Sequence, residues 1–163
     1  MALRSGSGWP IWRARWAASR RSARARSGRF LQQRFLGRPA AEDSLLIARV
    51  AIALGDEAEA RAALGWVEAE VPAADRTPQA QLFTRLVTAW LDRAPAATWT
   101  ALLDDAGAAM APDDRLEVMY WTARAAGRSP SDPDLGHVAE RARREASTWL
   151  EEVPIWRYRF ENL

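Results

Sequence analysis

The side chains of this sequence that best suit chemistry are arginines and tryptophans of the first 41 residues, and the chemistry is binding. Trp9, Trp12 and Trp16 follow one another at three- and four-residue spacing, which places them on one side of a helix that Pro10 could open. Guanidinium groups bind phosphates, and tryptophan rings lie at the head-group level of a membrane or stack on bases. We therefore expect an anionic partner, either a membrane surface or RNA. The candidate contact residues are Trp12, Arg13, Arg15, Trp16, Arg20, Arg21, Arg24 and Arg26.

The charge of the chain is divided very unevenly along its length. Residues 1–41 contain ten arginines and no acid, whereas residues 42–163 contain 13 arginines and all 21 acids. Net charge acts on partners and solubility more than on fold. We therefore predict a basic N-terminal arm over residues 1–41 and a folded domain over residues 42–163.

The arm has two other interpretations. It is rich in arginine and serine, poor in acids and amphipathic at its start, which is typical of a mitochondrial presequence and would predict a matrix protein whose arm is cleaved. The stretch over residues 19–28 has no apolar stripe, and this composition also fits a disordered basic extension. Without cleavage, we expect a cytoplasmic protein, with peripheral membrane attachment through the arm as a variant.

No group of residues in the sequence has a spacing typical of catalysis. The chain has no cysteine and one histidine, His137, which excludes a disulfide framework, a thiolate metal site and a histidine relay. The adjacent acids Asp104–Asp105 and Asp113–Asp114 would point in different directions on a helix, so we interpret them as caps and solvated faces. No glycine-rich phosphate loop precedes a helix. We therefore expect a protein that is not an enzyme and that holds no cofactor and no metal.

The domain after the arm is predicted to be helical throughout. Apolar residues recur at helical spacing, and no segment alternates with the period of two that is typical of strands. Cap residues mark the helix starts: Asp56 follows Gly55, and Thr77 and Asp132 each precede a proline. The fold class is therefore all-α. The predicted helices cover residues 43–54, 57–70, 78–92, 96–109, 114–126 and 133–152.

Three helix pairs end in a similar way. Each is followed by a proline, at positions 72, 112 and 154, which are 40 and 42 residues apart. Helix pairs at a fixed period indicate a solenoid, in which each pair buries its apolar face by stacking on the next. The predicted architecture is three helix-turn-helix pairs stacked in this way.

The first pair resembles the tetratricopeptide repeat. Gly55 and Asp56 lie at the turn between its helices, Ala48 and Ala60 are small where the family packs helices closely, and Pro72 ends the repeat. The resemblance covers residues 41–154, with two further repeats that match less well. It implies a short solenoid in which Ala60 is buried where the first two helices cross. It also implies an adaptor or complex subunit, because this family commonly holds a partner peptide or its C-terminus in a concave groove.

Three arginines are the candidate partner-binding residues of that groove. Arg49, Arg85 and Arg124 fall near the middle of the first, third and fifth predicted helices, which would line the concave surface. One arginine per repeat could bind carboxylates with two hydrogen bonds each. The alternative is three solvated arginines that pair with nearby acids. A rival function is a nucleic-acid-binding subunit that uses the arm as its main site.

Overall fold

A computed structural model of the protein describes residues 41–107, 110–150 and 153–163, and every regular element in these residues is helical. The all-α prediction is confirmed for this part of the chain. A single turn of 3-10 helix, Ala73–Asp75, lies between the second and third α-helices. The α-helices are α1 (Ala41–Ala53), α2 (Glu57–Glu70), α3 (Pro78–Leu91), α4 (Ala96–Asp105), α5 (Pro112–Arg128), α6 (Pro133–Ser147) and α7 (Pro154–Glu161).

The predicted cap residues begin their helices as expected. The side chains of Asp56, Thr77 and Asp132 each accept a hydrogen bond from the backbone N–H three residues ahead, at 3.1–3.2 Å. These bonds satisfy N–H groups that have no partner inside the helix. Gly55 ends α1 with a φ of 76°, a left-handed conformation that glycine adopts without steric cost.

Three predicted helix ends were wrong. The fourth helix ends at Asp105 and not at 109, and the sixth ends at Ser147 and not at 152. At the end of α6, the Thr148 hydroxyl donates to a backbone carbonyl of the last turn at 2.7 Å and thereby competes with the helical pattern. The fifth helix continues through Gly127 to Arg128, whose guanidinium binds another helix and fixes this last turn.

Helix α3 lies at the centre of the domain. It contacts α1, α2, α4 and α5, and nine of its 14 residues are buried. Helix α3 therefore has neighbours on both sides. Ala60 of α2 is fully buried, as predicted, and so is Ala48 of α1. Small side chains at these positions let α1 and α2, which are in extensive contact, approach closely.

The odd-numbered helices α1 and α3 run in the same direction. The Thr77 hydroxyl at the start of α3 donates to Glu42 in the first turn of α1 at 2.8 Å. Further along both helices, the Arg49 guanidinium lies 3.8 Å from the centroid of the Phe83 ring. The second contact lies further along α1 and also further along α3 than the first, so the two helices are parallel.

Similar pairs of contacts extend the arrangement to α5. The Gln79 amide in the first turn of α3 donates to Asp114 in the first turn of α5 at 2.7 Å. At the other end, Arg128 donates to the Trp90 carbonyl at 2.9 Å. Helices α3 and α5 are therefore parallel.

Helix α7 adds a fourth member. The Trp156 indole N–H donates to Asp113 at the start of α5 at 3.0 Å, and one turn later Phe160 meets Tyr120 with ring centroids 5.8 Å apart. We call α1, α3, α5 and α7 the parallel row. Helix α7 was not predicted, although Pro154 at its first position and the i, i+4 spacing of Trp156 and Phe160 were visible signals.

Candidate protein-binding face

The three predicted partner-binding arginines all lie on the parallel row, but their surroundings differ. Arg49 is largely buried, with 13% of its side chain exposed. Its Nη1 donates to Glu117 of α5 at 2.7 Å, and Phe83 of α3 covers its planar face. Burial lowers the pKa of Arg49, and the nearby carboxylates of Glu117 and Asp114 oppose that shift. Arg49 therefore joins three helices, and a partner could reach it only by displacing Glu117.

Arg85 has the opposite surroundings, because it is exposed. It forms an ion pair with Asp105 at the end of α4, and about half of each side chain is open to solvent. Exposed pairs of this kind contribute about 0–1 kcal/mol to stability. A partner carboxylate could replace Asp105 at little cost in free energy.

Arg124 has neither arrangement. Its guanidinium carbon lies 5.1 Å from the ring centroid of Trp121, 5.4 Å from that of Trp90 and 5.6 Å from that of Tyr120. Within residues 41–107, 110–150 and 153–163, no carboxylate lies within ion-pair distance of it and no hydrogen bond engages its N–H groups. The side chain is half-buried. Arg124 is thus a cation held over aromatic rings with its donors still available.

The rings beside Arg124 belong to one aromatic cluster that spans α3, α5 and α7. Trp90 and Trp121 meet edge to face with centroids 4.9 Å apart, and Tyr120 contacts Trp121 at 5.6 Å. On its other side, Tyr120 contacts Trp156 and Phe160 of α7, both at 5.8 Å. We call these five rings, together with Arg124, the aromatic–arginine cluster. Edge-to-face pairs are favourable beyond their buried area, so the cluster holds Arg124 in a defined place.

Sequence reasoning found Arg124 but missed the cluster around it. Trp90, Trp121 and Trp156 are buried in the structure. The visible signal was Tyr120–Trp121 followed by an arginine three to four residues later, a spacing that places all three on neighbouring faces of one helix.

Two neighbouring charged residues fix the position of the cluster. Arg128 donates to the Trp90 carbonyl at 2.9 Å and to Glu57 at 2.7 Å, and its guanidinium lies 4.5 Å from the Trp90 ring centroid. Glu117 accepts from the Trp121 indole N–H at 3.3 Å while it binds Arg49 through its other oxygen. Trp90 is therefore held by a charged group of another helix, and Trp121 by an acid of its own helix that also binds α1.

Several other predicted features can be placed only in part. The eight arm residues proposed to contact a membrane or RNA lie outside the described residues, so that hypothesis stays a prediction. His137 is exposed on α6, and the described residues contain no group of three or more side chains suited to hold a metal ion. None of the helices from α1 to α7 is both long and apolar enough to cross a membrane.

Comparisons with known proteins found no matching family model, no curated relative and no similar solved structure. What this protein binds must therefore follow from its own side chains. The parallel row supplies two half-buried arginines whose guanidinium groups have no hydrogen-bond partner among the described residues. Arg124 lies beside three aromatic rings, whereas Arg115 of α5 lies beside Trp149 alone. Arg85 lies on the same row with an acid that a partner could displace.

Proposed function

We propose that the protein is a non-enzymatic helical-repeat adaptor that binds an acidic segment of a protein partner along the parallel row, with Arg124 as the main contact. The observation that carries the proposal is the half-buried Arg124 guanidinium over three rings, with no ion pair in the described part of the chain. Attraction between opposite charges strengthens where water is partly excluded. A carboxylate on Arg124 would also accept two parallel hydrogen bonds.

The surroundings of Arg124 favour a peptide over a bare anion. Tyr120 is half-buried beside it, so a bound segment would contact an aromatic surface as well as a charge. Tyrosine, tryptophan and arginine are the residues most enriched at binding hot spots. The segment that fits best carries a carboxylate next to an apolar side chain, either within its chain or at its C-terminus.

The arrangement of the helices supports a short stacked solenoid as the scaffold. Each member of the parallel row contacts the next, and α4 also contacts α6 in the second layer. Contacts of this kind between successive units are what a helical repeat needs, because one pair cannot bury its apolar face alone. Ala48 and Ala60 are fully buried at the positions where the tetratricopeptide resemblance requires small residues.

The other two arginines have secondary roles in this proposal. Arg85 would extend the site if an acid of the partner replaced Asp105. Arg49 would hold α1 against α5 through Glu117 and thereby keep the row in register. The basic arm would add attraction to an anionic membrane surface, or to RNA in the alternative function, because its ten arginines are balanced by no acid.

The proposal is tested with short synthetic peptides that end in Glu-Phe with a free carboxylate, and with an amidated Gln-Phe version as the uncharged control. Trp90 and Trp121 lie beside the site, so their fluorescence reports binding. Arg124→Ala should weaken binding about tenfold or more, which corresponds to about 1.4 kcal/mol. Arg124→Lys should recover only part of the loss, because lysine cannot bind both carboxylate oxygens in the same way.

The matched control is Arg144→Ala, which removes an exposed arginine of α6 and should leave peptide binding unchanged. Equal binding of the charged and uncharged peptides would contradict the proposal. So would equal losses in Arg124→Ala and Arg144→Ala, since that result would indicate a general charge effect.

A further inference from the structure

The exposed large apolar side chains of the described residues lie at the two ends of the parallel row. On α1, Leu46 and Val50 are 51% and 50% exposed, and on α7, Ile155 and Tyr158 are 65% and 70% exposed. Leu163, immediately after α7, is 42% exposed. The inner helices α3 and α5 contribute none to this group. Grouped apolar exposure of this kind marks an interaction surface.

Helix α1 has two apolar sides, and only one of them is covered. Ala48 and Ile52 are buried in the core. Leu46, Val50 and Ala53 follow the i, i+4, i+7 spacing of a single line, and all three are exposed. We call this line the α1 outer face.

Helix α7 has the same two-sided character. Trp156 is buried against α5, and Phe160 contacts Tyr120 there. Ile155 and Tyr158 lie on the other side and, with Leu163, form what we call the α7 outer face. A helical repeat needs a polar outer side on its terminal helices to stay soluble as a single copy. This row instead ends on an apolar side in both directions.

We propose that copies of the chain associate head to tail, with the α7 outer face of one copy packed on the α1 outer face of the next. Neighbouring helices of the row already pair as α1 with α3, α3 with α5, and α5 with α7 in parallel. An α7–α1 contact between two copies would continue the same arrangement. It would cover both apolar faces at once.

The charges at the two ends are complementary in that arrangement. Exposed Arg157 and Arg159 accompany the α7 outer face, while Glu42 lies in the first turn of α1. In a parallel pairing, Arg157, the fourth residue of α7, comes level with the first turn of the other copy's α1. Opposite charges would then meet beside the apolar contact, which favours this orientation over the reverse one.

A second copy can cover both apolar faces through one kind of contact. A contact between two different faces leaves one of each unpaired at the ends of every open complex. Association is therefore expected to continue with rising concentration to larger species.

The test uses the full chain and two variants, Val50→Glu on α1 and Tyr158→Glu on α7, studied by sedimentation velocity. The unmodified protein should form species larger than a monomer as its concentration rises. Each variant alone should remain a monomer. An equal mixture of the two should form a dimer and nothing larger, because one intact α7 outer face then meets one intact α1 outer face.

Ala62→Glu, at an exposed position of α2, is the control and should associate like the unmodified protein. Circular dichroism of each variant should match that of the unmodified chain, because the replaced side chains are exposed. An unmodified protein that stays monomeric up to about 1 mM would overturn the proposal. A mixture of the variants that stays monomeric would overturn it as well. So would a loss of association in Val50→Glu but not in Tyr158→Glu, since that result would indicate that the arm covers α1.

Discussion

Arg49 of α1 and Glu117 of α5 form an ion pair at 2.7 Å that connects two helices which are not adjacent in the parallel row. Phe83 of the intervening α3 covers the guanidinium face, and Trp121 donates its indole N–H to the same carboxylate. One carboxylate thus links the residue expected to line the groove to a ring that supports Arg124. Removing one member of a partly buried ion pair lowers the stability of the fold, because the other charge is left without its partner.

Glu117→Ala should therefore destabilise the domain clearly. The change leaves the buried Arg49 guanidinium without its hydrogen-bonded acid, with Asp114 as the remaining nearby carboxylate, and removes the acceptor of the Trp121 indole. We expect a loss of roughly 2–3 kcal/mol in the free energy of unfolding, measured by urea denaturation. The matched control is Asp105→Ala, which removes the exposed partner of Arg85 and should cost less than about 1 kcal/mol.

A double replacement of Arg49 and Glu117, compared with Glu117→Ala, separates the effect of the unpaired charge from the loss of packing. Arg49→Met combined with Glu117→Leu replaces both charged groups by apolar ones and should be more stable than Glu117→Ala alone. If Glu117→Ala and Asp105→Ala have equal effects, the Arg49–Glu117 pair is no more important than an exposed one.

The second prediction concerns the contact between α1 and α2. Ala60 has no exposed surface, so Ala60→Leu must push the two helices apart or force strained rotamers. The expected loss is about 1–3 kcal/mol in the free energy of unfolding. Ala62→Leu, two residues along the same helix at an exposed position, should change stability by less than about 0.5 kcal/mol. Equal effects at the two positions would show that α1 and α2 do not require a small residue at this contact.

The sequence predicts features that depend on interactions between near neighbours in the chain, and it does not predict those that depend on distant residues. The caps at Asp56, Thr77 and Asp132 act over three residues, and the helix starts they predict are found in the structure. Arg49 pairs with a residue 68 positions away, and Arg128 with Glu57 at 71 positions, so no local pattern contains either contact. Fold class followed from local periodicity, whereas the state of each arginine depends on which helices become neighbours.

The missed helix α7 illustrates the same division. Its eight residues carry a first-position proline and two aromatic residues at helical spacing, which are weak signals in so short a segment. What stabilises α7 is its contact with α5 through Trp156, Tyr120 and Asp113. A helix that depends on tertiary contact is the kind that local propensity does not reveal.

The third prediction tests that contact. Trp156→Ala should release α7 from α5, and hydrogen exchange should show faster exchange over residues 155–161 while α3 keeps its protection. Trp156→Phe retains a ring and loses only the hydrogen bond to Asp113, so it should cost about 1 kcal/mol and leave α7 docked. Tyr158→Ala, at a 70% exposed position, is the control and should leave exchange in α7 unchanged in dilute protein. Protection of α7 in Trp156→Ala would indicate that other contacts hold this helix.

The last prediction concerns the basic arm. Deleting residues 1–35 should leave the domain folded, because the described core begins with Ala41 and Leu45. The deletion removes nine arginines and no acid, so the net charge changes from +2 to −7. Circular dichroism and a cooperative thermal transition would show whether the truncated chain still folds. A chain that no longer folds would place the arm in the core and contradict the predicted boundary.

Most of the salt-sensitive binding to anionic lipid or RNA should be lost with the arm. For the full chain, contact with about five phosphates of single-stranded RNA would make affinity fall roughly hundredfold between about 50 and 200 mM salt. Replacing Arg20, Arg21, Arg24 and Arg26 by glutamine in the full chain should weaken binding and flatten this salt dependence without changing chain length. Vesicles with and without phosphatidylserine test for an anionic membrane surface, and single-stranded RNA tests for the alternative partner. Tryptophans favour the membrane interface, whereas the arginine charge attracts both partners. Unchanged RNA and vesicle binding after the deletion would place the anionic contact in the domain, where 21 acids oppose it.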